Sequence, residues 1–188
     1  MTDVELIVEW VQAMAADMRG EIEGMSPEEL AWQPDPEANS IGVTVWHVCR
    51  WLDLLTVQIL EGRPAEEEQW HTRGWREQTG YDPRGIGLRG FGAISGYTVE
   101  EVAAVPTLTA DEHTTYLTQV CDALCDRLKA MPEGALHQPT MGLGGKRTPY
   151  QWVKILLPGC FGHLGEIAAL KAMRSREAYY PRAVAALW

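Results

Sequence analysis

The sequence predicts an all-α helical bundle. Four long segments repeat apolar residues with helical spacing, none alternates with the period of two that a strand needs, and a long glycine-rich stretch separates the second segment from the third. At 188 residues, with 46% hydrophobic and 22% charged residues, the chain fits one domain with a real core.

The first segment opens with Thr2 and Glu5 in capping-box spacing and carries Leu6, Trp10, Ala13, Met14 and Met18 to about Gly24. Ser26-Pro27-Glu28-Glu29-Leu30 marks a short second helix start, with serine as cap and proline at the first helical position. The second long helix starts near Asn39 and runs through VTVWHVCRWLDLLTVQIL to Gly62. The third is capped by Thr109, with Glu112 three residues on, and reaches Met131-Pro132. The fourth opens at Thr148-Pro149 and ends near Arg174; the last residues, YYPRAVAALW, read as an extension packed on the bundle.

The stretch 62–108 is punctuated by seven glycines between Gly74 and Gly96, which makes it mostly loop, with one helical turn after the Thr98/Glu101 capping box. A connection this long has a functional or a crossover role. It can return the chain along a bundle ~30 Å long and leave the second and third long helices parallel. It is expected to cover one end of a pocket, with Trp70, Trp75 or Phe91 supplying the apolar wall.

Charge and targeting narrow the function classes. Sixteen basic against 26 acidic residues give a net charge of −10, a field that repels phosphate backbones and anionic lipid. The expectation is no nucleic acid and no membrane. The start MTDVELIVEW is acidic and lacks a signal-peptide pattern, and Cys49, Cys121, Cys125 and Cys160 read as reduced thiols, so a cytoplasmic location is expected. Gly145-Lys146-Arg147-Thr148 has Thr140 where a phosphate loop needs glycine, and GIGLRGFG has no surrounding βαβ unit. Both are set aside.

Five histidines remain. His71, His113 and His137 lie in polar loop or helix-start sequence and read as solvated surface residues. His47 shares a helical face with Val43, Arg50, Trp51, Leu54 and Gln58. His163 shares one with Leu156, Gly159, Glu166 and Leu170. Two histidines on apolar faces can meet inside a bundle and bind a divalent metal, although each alone is more often a hydrogen-bonded core residue. Cys121 and Cys125, among Leu117, Leu124 and Leu128, read as buried structural thiols.

TVWHVCRW, GWREQTGYDPRGIG, SGYTVEEVAAVP and GHLGEIAALKAM, together with LAWQPDPEANSIG, resemble in order and spacing the DinB-like superfamily of four-helix proteins, which includes thiol-dependent transferases. The resemblance spans nearly the whole chain. It implies an up-down-down-up bundle with the crossover between helices two and three. It also implies a divalent metal, zinc or nickel, held by one histidine of helix two and a His-x-x-x-His pair of helix four, the first member of which is glutamate in some relatives. His47 and His163 match two of these positions. The third falls on Gly159, which has no side chain, with Cys160 and Glu166 as the neighbouring donors.

The Cys160 thiolate would suit zinc at a poor angle, while Glu166 suits a role in orienting His163. The activity the resemblance implies is a metal-assisted transferase of a small thiol, the metal lowering the thiol pKa to give a nucleophilic thiolate, with Trp46, Trp51 and Trp10 walling the pocket. The alternative is a metal-free small-molecule-binding or stress-response bundle without catalysis. An exposed apolar face would favour a homodimer.

Overall fold

A computed structural model describes residues 1–140 and 145–175. The C-terminal YYPRAVAALW extension lies outside the described residues. The described residues are helical and include no strand: α1 (Asp3–Ile22), α2 (Pro27–Ala31), α3 (Ile41–Leu54), α4 (Gln69–Thr72), α5 (Trp75–Thr79), α6 (Val99–Ala103), α7 (Ala110–Lys129) and α8 (Pro149–Ser175).

Side-chain caps set the helix starts. The hydroxyls of Thr2, Ser26, Thr98 and Thr109 each accept from the backbone three residues on, and the glutamate at that third position returns a bond to the cap. Thr148 and Gln151 exchange the equivalent pair at α8. α3 is capped by the Ser40 hydroxyl and has no acid in its first turn.

α1, α3, α7 and α8 pack as a ring in which α1 and α3 each touch both α7 and α8. Their inward faces carry 3.6-residue stripes, Val11, Met14, Met18 and Ile22 on α1 and Tyr116, Leu117, Val120 and Leu124 on α7. Thr44 meets Glu166 and His47 meets His163, so the contacts run in opposite directions along α3 and α8. Gly42 lies beside His113, and Asp53 accepts from Tyr116, so they run in the same direction along α3 and α7.

α3 does not stay α-helical to Gly62. Residues Leu55–Leu60 form a wider π turn. There the Thr56 hydroxyl takes the Leu52 carbonyl and Gln58 reaches Glu68. α8 runs unbroken through the exposed Pro158, although a proline there lacks the N–H that would bond the carbonyl four residues back. By length and composition α8 is the one helix among the described residues apolar enough to cross a membrane. Its inward residues, including Val153, Leu157, Leu164 and Ile167, are buried in the bundle.

Beneath the crossover lies a buried ion cluster. The Arg50 guanidinium donates to Glu68 (2.6 Å), Asp53 (3.4 Å), the Tyr116 hydroxyl (3.2 Å) and the Gly92 carbonyl (3.0 Å). Asp53 in turn accepts from the backbone N–H groups of Gln69 and Trp70 and from Tyr116. One arginine thus joins α3 and α7 to both halves of the crossover.

Arg50→Ala would leave Asp53 and Glu68 buried without their cation, at a cost of about 3–5 kcal/mol. Arg50→Lys should restore little of it, because an ammonium cannot span this forked set of acceptors. The urea midpoints of the two variants check both expectations.

Candidate functional site

His47 stands midway along α3 and His163 midway along α8. Their ring centroids are 4.9 Å apart and their planes lie at 82°. His47 Nδ1 is 2.6 Å from the Ala93 carbonyl. A carbonyl only accepts, so Nδ1 carries the proton and the neutral ring has its lone pair on Nε2. His163 Nδ1 is 2.7 Å from Glu166 Oε2. The other Glu166 oxygen accepts from Thr44 (3.2 Å) and, more weakly, from Asn39 (3.5 Å).

The bond from His163 holds the Glu166 carboxyl below its ordinary pKa, so it is ionised and accepts the Nδ1 proton. Burial holds His47 below its ordinary value; the Ala93 bond opposes this, and the nearby His163 ring adds to it. Both imidazoles are therefore oriented through Nδ1, the arrangement in which a metal-binding histidine offers Nε2.

The neighbouring candidates fall in different places. Gly159 is exposed, and a Cβ built there meets nothing within 4 Å. Cys160 is buried, with burial pushing its thiol up to about 12, and it interacts with Cys49 and Cys121 in the core. Cys121 and Cys125 are buried as well. Among the described residues no group of three His, Cys, Asp or Glu side chains is arranged to hold a metal ion.

The aromatic walls differ in part from the sequence reading. Trp51 stands edge-on to His47 and Phe91 edge-on to Trp51. Trp46, Trp70 and Trp75 are buried in the core instead, where Trp70 packs against Trp46, Trp75 and Tyr116. Trp10 lies in a separate groove between α1 and α8 with Ile7, Tyr150 and Phe161. That exposed apolar strip exists because α8 is apolar on nearly every side.

The crossover reaches the site through its backbone. The consecutive carbonyls of Gly92 and Ala93 accept from Arg50 and His47, which are three residues apart on α3. Gly92 has φ +62°, and a Cβ there would collide with Pro83. Ile94 follows at φ +68°, a left-handed conformation that costs a β-branched residue of order 1–3 kcal/mol.

The surface reading of the other histidines holds for His137, which is exposed and pairs with Asp3. It fails for His71, which is half-buried. It fails completely for His113, which is 1% exposed. The missed signal was periodic: His113 is three residues before Tyr116 and seven before Val120, on the buried stripe of α7. Ala93, which orients His47, lies in no motif, and Asn39 and Thr44, which hold Glu166, lie in LAWQPDPEANSIG and TVWHVCRW without a pattern that marks their role.

The comparisons agree with this architecture. The DinB superfamily profile matches residues 11–167, most of the chain. The chain belongs to the DinB superfamily. A crystal structure from Enterococcus faecalis, titled as the conserved protein of a locus, superposes with a TM-score of 0.75 at 18% identity, covering 92% of this chain and 97% of its own. This likeness is one of fold. No curated protein matches the sequence. This DinB protein therefore shares its relatives' all-α bundle.

Burial pushes the His113 pKa down to about 4, against an unfolded value near 6.5. The folded protein binds fewer protons between these limits, so its stability is complete above about pH 6.5 and declines as pH falls toward 4. His113→Phe should flatten that decline. Urea midpoints of wild type and variant at pH 7.5 and 5 measure the difference.

Proposed function

We propose that this DinB protein is a metal-assisted S-transferase-like protein that binds a divalent ion, zinc or nickel, between His47 and His163 and acts on a low-molecular-weight thiol. The observation that carries this reading is the pair of imidazoles 4.9 Å apart, each anchored through Nδ1. Two imidazoles bound through Nε2 at ~2.1 Å with a near-tetrahedral angle have centroids about 5 Å apart. The donor set fits a two-nitrogen site.

His47 and His163 would hold the ion. The Ala93 carbonyl and the Glu166 carboxylate fix which nitrogen each ring presents, and Thr44 and Asn39 fix Glu166. Trp51 and Phe91 supply apolar surface beside His47 that excludes water. A bound divalent ion supplies Lewis acidity that lowers a thiol's pKa toward neutrality. A two-histidine set binds more weakly than the three protein ligands of most catalytic zinc sites.

A second reading, a metal-free small-molecule-binding bundle without catalysis, is favoured by one observation: Gly159 offers no donor at the third position.

Two measurements separate the readings. Protein purified without a histidine tag should carry zinc or nickel that His47→Ala loses; a metal-free wild type that takes up neither ion on titration favours the binding bundle. In Gly159→His the space for the new ring is open, and histidines four apart share a helical face. Propensity does not oppose the change, since a helix-interior glycine carries a penalty of ~1 kcal/mol relative to alanine. Calorimetry should show zinc binding at least tenfold tighter than wild type, with circular dichroism confirming the fold. A folded variant with no gain would separate this pocket from the family's metal site.

A further inference from the structure

A cavity of about 450 Å³ lies where the N-terminus of α3 faces α6 and the start of α7. Val43, Ile94 and Val102 give it an apolar side, Gln33, Glu37 and Asn39 a polar one, and His113 lines it from α7. His113 is 1% exposed, and its Nδ1 is buried with no hydrogen-bond partner. A buried imidazole nitrogen that makes no bond costs stability, and an apolar side chain would fill the same place more cheaply. Gly42 lets the ring lie against α3, since a Cβ there would come within 3.3 Å of Nε2. The first turn of α3 brings backbone N–H groups to the same cavity and has no acid of its own, while Glu37 lines the cavity from the segment before it.

We propose that this cavity is a binding site for a small, uncharged molecule that combines an apolar part with one hydroxyl or amide group, which hydrogen-bonds to His113. The walls fix the apolar part. The absence of any Lys or Arg among the lining residues excludes a phosphate or other polyanion, because nothing would offset its desolvation. A hydroxyl both donates and accepts, so it satisfies whichever tautomer the neutral ring adopts. Two lining residues connect the cavity to the histidine pair: Ile94 follows the carbonyl that holds His47, and Asn39 donates to Glu166. The site needs no metal, so its test is independent of the transferase reading.

Benzyl alcohol, toluene and benzoate probe the three parts of the claim by NMR titration of the full chain. Benzyl alcohol should give saturable shifts at Gly42, Val43, Ile94, Tyr97 and His113, with smaller shifts at His47. Toluene, which lacks the hydroxyl, should bind at least fivefold more weakly, and benzoate at least tenfold more weakly. His113→Phe should weaken benzyl alcohol at least fivefold. Val102→Trp, which fills the cavity from the half-buried wall of α6, should block it, and this arm stands if the first variant does not fold. Unsaturable shifts, toluene binding as well as the alcohol, tighter binding of benzoate, or an affinity unchanged in the folded variants would each overturn the proposal.

Discussion

The guanidinium of Arg50 is the constraint on which the rest of the molecule depends. Its side chain is 1% exposed and that of each partner carboxylate is fully buried, so all three charges are removed from water and must satisfy one another. Burial still pushes Asp53 up to about 6 despite the facing arginine. That geometry dictates where the crossover passes. Glu68 and the Gln69–Trp70 amides are drawn in on one side, and the Gly92 carbonyl on the other. A segment with few long elements of its own becomes an ordered cover because its polar groups complete this cluster.

The site inherits its precision from that arrangement. With Gly92 tied to Arg50, the next carbonyl falls on His47 and selects its tautomer. The left-handed conformation of Ile94 follows from the same placement: the chain must turn sharply after two carbonyls aimed at α3, and the Tyr97 N–H holds the Ile94 carbonyl across the turn. Strain at one residue persists because its neighbours are fixed on both sides. On α8 the equivalent support is shorter in range, since Glu166 lies three residues beyond His163 on the same helix.

Much of this was legible in the sequence. Caps and 3.6-residue stripes marked the four long helices to within a few residues, because those signals are local. The apolar faces carrying His47 and His163 were legible for the same reason. The π turn at the end of α3 was not, because it answers to Gln58 meeting Glu68. The short helices α4 and α5 and the burial of Trp70 and Trp75 were missed as well. They depend on Asp53 capturing backbone amides sixteen and seventeen residues away, a contact without periodicity. His113 was hidden for a different reason: the polar residues around it at the start of α7 masked a stripe that had already begun.

Gly159 shows how the fold and the site are separable. The bundle makes no demand on this position: it is exposed, and a side chain would enter open space. His47 and Glu166, by contrast, are tied into bonds that the crossover and α3 help to maintain. A donor at 159 can therefore be gained or lost with little consequence for the core, whereas the orientation of the two imidazoles is set by bonds that also help hold the elements together. The number of side chains available to an ion is in this way nearly free of the stability of the bundle, and the aim of the two rings is not.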